Sequence, residues 1–412
     1  MASRQSRSRR GGVLGSARAM ASCRIDLVGM ARACALLSLP AAPMACFSGD
    51  ATIGSICAEA RECGPDQQCR HELCGRCGNG LHEPFEVCYA DAADAGAPPS
   101  VQRFRSGDLD RNARDEVVML DSNGVLYHAP AVGGVLDPRL IAVVPVDAVV
   151  ATFATGDVDG DSVAEIVAAI GMRVVVFTAD AEGVFAPSFE LDVGRVIAEM
   201  TVVPALEAMA TIALVDEDGS LFVVDPVADA VPRAVEVGTA VHLGPAVYFD
   251  EDEIVDLAVV DERQNRMAVV RGGAWNSITR VDVGRGPFAV LAYDRDGDGQ
   301  TDFLTLDRFG RTATLVAADG KGDLRVIDSL AFDTPPVAAT AFDADFDGVV
   351  DVFVATADAI ELWRGEGGRN PDSVLFAGTG ASALGVGRFS AAPVLDLVAL
   401  VDGELQRHEV VP

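Results

Sequence analysis

The sequence predicts an all-β protein: a seven-bladed β-propeller preceded by a small disulfide-rich module. Three observations carry that expectation. A small or acidic turn recurs seven times, beginning at Gly107-Asp108, Gly156-Asp157, Val203-Pro204, Phe249-Asp250, Tyr293-Asp294, Phe342-Asp343 and Gly387-Arg388. Successive turns stand 49, 47, 46, 44, 49 and 45 residues apart, and a period in the forties marks a repeat architecture. Each unit holds about four short Val-, Phe-, Leu- and Thr-rich runs that alternate every second residue, with no amphipathic helix after residue 101.

In the fifth unit the expected strands are Phe288–Tyr293, Asp302–Asp307, Arg311–Ala317 and Leu324–Leu330. Four strands per unit and seven units fit a propeller, in which each blade buries its faces against its neighbours. A β-helix needs shorter repeats, and a sandwich would not keep this period. The last unit offers three strands, near 383–389, 394–401 and 404–411. A fourth would have to come from the N-terminal side, where residues 89–100 are weak strand formers, so the sequence leaves the closure of the ring open.

The chain of 412 residues divides into four expected regions: a targeting segment 1–45, a cysteine module 46–88, a linker 89–100 and the propeller 101–412. Half of the residues are hydrophobic and the formal net charge is −30, which argues against nucleic acid or an anionic membrane surface as partner. Residues 1–45 run the other way, with seven Arg and one acid, Asp26, leading into the apolar stretch Ala33 to Ala45. A basic start, a short apolar core and small residues read as a secretory signal. With Pro40 and Pro43 inside it, the stretch is too short for a membrane-spanning helix. Met20 or Met30 as the start would give the signal more ordinary proportions.

Nine cysteines support export. Cys23 and Cys34 fall in the targeting segment, and the six at 57, 63, 69, 74, 77 and 88 form a dense, even set. In an exported chain, Cys57, Cys63, Cys69, Cys74, Cys77 and Cys88 read as three disulfides of unspecified connectivity. A zinc site on Cys74-Gly-Arg-Cys77 with His71 or His82 is the weaker reading, because a second matching pair is missing. Cys46 follows Pro-Met-Ala, where a bacterial lipoprotein carries its lipidated cysteine. Parity of the thiols favours a lipid anchor there, Pro43 in place of the usual Leu opposes it, and both a lipoprotein and a secreted form stand.

The turns carry the chemistry. The fifth reads Asp294-Arg-Asp296-Gly-Asp298-Gly-Gln300-Thr-Asp302. Carboxylates at positions 1, 3, 5 and 9, a backbone carbonyl at position 7 and glycines for the tight turn make an oxygen cage of the kind Ca²⁺ takes. The sixth repeats it with Asp343, Asp345, Asp347, the carbonyl of Val349 and Asp351. The second has Asp157, Asp159, Asp161, the carbonyl of Val163 and Glu165; the first has Asp108, Asp110, Asn112, the carbonyl of Arg114 and Glu116. An EF-hand would need an acid at Thr305, Val354 and Ala168 and a helix after each loop; apolar strands follow instead. Asp and Gly are common in turns, but that explains one loop better than four of equal spacing. Crowded carboxylates repel unless a cation neutralises them. The fourth turn, Asp250-Glu-Asp252-Glu-Ile-Val-Asp256, is two residues short, and the third and seventh have lost the ligands.

Asp-x-Asp-Gly-Asp-Gly-x-x-Asp followed by an apolar strand resembles the FG-GAP/VCBS repeat, the blade of integrin-α-type propellers. The resemblance spans about three-quarters of the chain and is strongest in units two, five and six. It implies a calcium-bound propeller in an exported protein, with Ca²⁺ in the hairpin between the first two strands of a blade. The stretch Cys57 to Cys74, then Cys77-Gly-Asn-Gly and Glu86-Val-Cys88, resembles short cysteine-rich modules of myxobacterial surface proteins. It departs from them at Phe85, where Gly is usual, and at Cys88-Tyr-Ala-Asp, where Cys-Asp-Asp-Gly is usual.

No Gly-x-Ser-x-Gly, His-Glu-x-x-His or P-loop occurs, and the five His (71, 82, 128, 242, 408) are isolated in sequence and read as structural. Trp275 is expected to pack over a hairpin rather than offer a stacking platform. The expected function is therefore a calcium-binding surface or secreted module for an extracellular protein or glycan. The alternative is an exported polysaccharide-active hydrolase or lyase, which requires carboxylates outside the loops to converge in one cleft.

Overall fold

The computed structural model describes residues 68–70, 73–75, 93–94 and 100–408, the last with gaps at 110–113, 133–134, 137–141, 144–147, 181–182, 206–207, 345–348, 364–372, 378–379 and 390–394. The targeting segment and Cys46, Cys57, Cys63, Cys77 and Cys88 lie outside the described residues, as do Asp110, Asn112, Asp345 and Asp347. In the cysteine region a hairpin pairs Gln68–Arg70 with Leu73–Gly75 and sets Cys69 opposite Cys74 in register.

Seven four-stranded antiparallel sheets follow one another, and they are the blades. Blade 1 is Val101–Gly107, Glu116–Asp121, Leu126–Ala129 and Ala142–Val143; a small hairpin of Ala131–Val132 with Val135–Leu136 stands before its last strand. Blade 2 is Thr152–Gly156, Glu165–Ile170, Arg173–Ala179 and Phe185–Asp192; blade 3 is Ile197–Ala205, Ala208–Asp216, Leu221–Val224 and Arg233–Val235. Blade 4 is Val241–Val247, Asp256–Asp261, Arg266–Val270 and Ile278–Asp282; blade 5 is Pro287–Tyr293, Asp302–Asp307, Thr312–Ala318 and Leu324–Ala331. Blade 6 is Ala338–Phe342, Asp351–Ala355, Ala359–Trp363 and Ser373–Ala377. Blade 7 takes Ala383–Gly387, Asp396–Val401 and Glu404–His408 from the C-terminal end and its fourth strand, Ala93–Asp94, from the N-terminal side. The closure that the sequence left open is thus a strand borrowed from residues 93–94, with Ala93 opposite Arg407 and Asp94 opposite Gln406.

The second strand of a blade shows why the sheets stack. In blades 1, 2, 4, 5 and 6 every residue of it is buried. Side chains alternate between faces with period two, so such a strand must be apolar on both sides. In blade 3, Ile212 and Leu214 join the core shared with blade 2, while Ala213 and Val215 join the core shared with blade 4. Seven hydrophobic clusters result, one at each junction between neighbouring blades. First strands of successive blades touch all the way round, from blade 1 through blade 7 and back, so they are the inner wall of the ring.

Candidate metal loops and the central channel

Two of the aspartate loops are described throughout, and they share one geometry. In blade 2, Asp157 Oδ1 accepts the Gly160 N–H at 2.7 Å and Oδ2 accepts the Ser162 N–H at 2.7 Å, while Asp161 Oδ1 accepts the Val163 N–H at 2.8 Å. In blade 5, Asp294 Oδ1 accepts Gly297 N–H at 2.8 Å and Oδ2 accepts Gly299 N–H at 2.9 Å, while Asp298 Oδ1 accepts Gln300 N–H at 2.8 Å. Both turns need left-handed backbone at the fourth and sixth positions. Gly297 and Gly299 supply it with φ of 74° and 81°, Gly160 with 82°, and Ser162 adopts 68° despite its Cβ.

These bonds curl each loop so that carboxylates converge. One oxygen from each of Asp157, Asp159 and Glu165 lies within 4.8 Å of the others, and the same holds for Asp294, Asp296 and Asp298. Asp161 and Asp302 stand outside these groups. Asp302 Oδ1 accepts the Ala318 N–H at 3.1 Å, and its Oδ2 lies 3.7 Å from Arg295 Nε. Glu165 is one methylene longer: its Oε2 accepts the Val158 N–H at 2.7 Å, and its buried Oε1 has no hydrogen-bond partner. Burial, and then the negative charges of Asp159, Asp161 and Asp157, push the Glu165 carboxyl up to about 7. The Gln300 Oε1 is likewise buried without a partner. Hard oxygen donors, an orphaned buried oxygen and mutual repulsion fit a divalent cation such as Ca²⁺.

Blades 1 and 6 are described at the ends of their loops. There Leu109 N–H donates to Glu116 Oε2 at 2.6 Å and Ala344 N–H to Asp351 Oδ2 at 3.2 Å, the same bond that Val158 makes to Glu165. In blade 3 the first two strands stay paired as far as Ala205 opposite Ala208. Blades 4 and 7 hold an arginine in their place. The Arg271 guanidinium pairs with Asp250 and lies 4.7 Å above the Phe249 ring. Arg407 holds buried Asp396 through Nε at 2.9 Å and Nη2 at 2.7 Å, with its guanidinium 5.8 Å from the Phe389 ring.

The opposite end of the second strand carries a second series of acids that the repeat pattern concealed. Asp121, Asp216 and Asp261 each close the turn to the third strand by accepting two backbone N–H groups on Oδ1, at 2.8 to 3.1 Å. Their signal is an acid five residues after the one that opens the strand, as in Glu116 and Asp121 or Asp256 and Asp261.

The inner wall encloses a central channel of about 670 Å³ to which all seven blades contribute, among them Arg103 and Arg105, Thr152, Glu199, Leu243, Val290, Thr340 and Ser382. Arg103 Nη1 donates to Thr152 Oγ1 at 2.6 Å and to the Ala198 carbonyl at 3.3 Å; Arg105 Nη1 donates to the Phe104 carbonyl at 2.9 Å. Glu199 takes His242 Nδ1 at 2.7 Å on Oε1 and the Leu243 N–H at 3.0 Å on Oε2. His242 Nε2 lies 3.6 Å from Glu262, which lies 3.9 Å from Arg308. Donating to Glu199 raises the His242 pKa, burial opposes it, and Glu262 adds to it. His242 is isolated in sequence but not in space. Trp275, by contrast, packs as expected, 7% exposed in the core between blades 3 and 4.

The chain is similar to BBS1N in its complex with ARL6DN, soaked with mercury: TM-score 0.59 and 13% identity over 80% of this chain and 98% of that one. It is also similar to the Myceliophteria thermophila Cps50 (Swd1) beta-propeller domain, with TM-score 0.56 and 10% identity over 79% of this chain and all of that one. The fold is a seven-bladed β-propeller. At such identity the likeness is one of fold alone. No protein-family model matches the chain, and no curated protein matches it by sequence.

Proposed function

We propose that this propeller is exported, clipped by Ca²⁺ at its aspartate loops, and acts as a surface or secreted binding module for an extracellular protein or glycan. The observation that carries the metal is the repeated convergence of three carboxylates in blades 2 and 5. Asp157, Asp159 and Glu165, and Asp294, Asp296 and Asp298, would hold the ion, whose charge offsets their repulsion. The acids beyond them, Asp161 and Asp302, have their own hydrogen bonds to backbone. The basic, apolar N-terminal segment supports export, and the even cysteine set supports disulfides in an oxidising compartment. A propeller is a scaffold suited to protein binding, and the similar BBS1N is found in a complex with ARL6DN.

The decisive measurement is thermal melting of chelated protein as calcium is returned, against Asp157→Asn and Asp294→Asn. A site at one hundred times its dissociation constant contributes about 2.7 kcal/mol. Calcium should therefore raise the melting temperature of the parent by several degrees and that of the double variant by little. Melting that is the same in chelator and calcium would end the metal proposal. A glycan array and a pull-down, each with and without calcium, then test the binding role. The enzymatic alternative requires paired carboxylates in a cleft. Among the described residues lining the channel Glu199 is the one acid, and both its oxygens are engaged.

A further inference from the structure

We propose that the central channel is an anion site, in which Arg103 and Arg105 together hold a small dianion of the dicarboxylate or phosphomonoester class. The two side chains leave the same face of the first strand of blade 1, both reachable by solvent, and both line the channel. Neither is in a salt bridge with a carboxylate among the described residues. Their bonds to Thr152, Ala198 and Phe104 occupy three donor contacts, whereas two guanidiniums carry about ten N–H donors between them. The acid of the channel lining, Glu199, is already committed to His242 and Leu243.

A chain with net charge −30 thus keeps a net positive charge at its centre. Placing two cations side by side in a partly desolvated cleft is unfavourable unless an anion joins them. Depth among protein atoms lowers the Arg105 proton affinity, Arg103 lowers it further, and Glu199 partly restores it. Planar guanidiniums favour bidentate bonds to carboxylate or phosphate. The hydroxyls of Thr201, Thr340 and Ser382 add neutral partners for a ligand rich in oxygen, and about 670 Å³ accommodates a small metabolite rather than a polymer. This site is independent of the aspartate loops.

The test uses the full chain with saturating calcium at fixed ionic strength, titrated calorimetrically with succinate and with glycerol 3-phosphate, and with glycerol as the neutral control. Binding of either anion to the parent, weakened at least tenfold in Arg103→Gln and in Arg105→Gln, is expected. Succinate alone would assign the carboxylate class, glycerol 3-phosphate alone the phosphate class, and both would show that paired negative charge suffices. A second readout needs no variant. Phenylglyoxal modification, mapped by mass spectrometry, should be blocked by the bound anion at Arg103 and Arg105 while half-exposed Arg308 still reacts. Silence of both anions toward the parent, equal binding by the variants, or unprotected arginines would overturn the proposal.

Discussion

Asp256 opens the second strand of blade 4 wholly buried, with Oδ1 accepting the Gly272 N–H at 2.7 Å and Oδ2 without a partner. Burial, and secondarily Asp252, push its carboxyl up to about 6. A group whose folded pKa lies above its unfolded value stabilises the fold below the unfolded value, and that stability is lost as pH rises through the folded one. Asp256 therefore weakens the fold between about pH 4 and pH 6 and leaves it weaker above. Asp256→Asn should be more stable than the parent by about 1 kcal/mol at pH 8, an advantage that fades at pH 4, as read from denaturant melts at the two values. No advantage at pH 8 would mean that the charge is solvated by something other than the Gly272 N–H. Asp307 meets the same burial differently: three hydroxyls, from Thr305, Thr312 and Thr314, donate to it at 2.6 to 3.0 Å. The sequence showed the acids opening the second strands because they keep loop spacing. It hid Asp307 and its counterparts, because an Asp before a turn is ordinary until the strand before it is known to be buried on both faces.

At the scale of the element, the loop between the first two strands has two ways to bear its negative charge. Blades 2 and 5 converge three carboxylates, with Arg295 of the blade 5 loop also donating to Asp296 at 3.0 Å, whereas blades 4 and 7 set an arginine from another strand or turn on the acid and over an aromatic ring. The seventh turn, Arg388 to Asp396, has no acid in its sequence before Asp396, and Arg407 comes from the third strand to meet that one. Local sequence cannot show that pairing, since it joins residues eleven apart across a hairpin. Their side chains are 7% and 0% exposed, so removing one partner strands a buried charge, which typically costs about 3–5 kcal/mol. Arg407→Leu should lose stability in that range, and adding Asp396→Asn should recover most of it. A double variant as unstable as the single one would show that Arg407 acts through packing on Phe389 instead.

For the whole molecule, the period of the turns was enough to set the number of blades, and the expected strands of the fifth unit match the observed ones within a residue at each end. The closure was not legible, because it rests on two residues, Ala93 and Asp94, in a stretch with no strand-forming pattern. Their pairing is a backbone ladder, for which almost any residue serves. The junction of blades 7 and 1 is tied further by Ser106 Oγ donating to the Val386 carbonyl at 2.6 Å and by Val101 N–H donating to Gly403 O at 3.0 Å. Asp115 and Arg388 add a reciprocal pair: Asp115 N–H to Arg388 O at 2.9 Å, and Arg388 N–H to Asp115 Oδ2 at 2.7 Å. The chain itself crosses every junction, this one between Asp94 and Val101, so the place that no covalent link closes lies within blade 7, between Ala93–Asp94 and Glu404–His408, and there the ring has to open. Ala93→Pro removes a ladder donor and fixes φ where the outer strand pairs with Arg407. Hydrogen exchange should then show lost protection first along Glu404–His408, next at the first strand of blade 1, with blades 3 to 5 unchanged at first. Uniform loss of protection across all blades would mean that the borrowed strand holds the ring as one cooperative unit rather than as a latch at one seam.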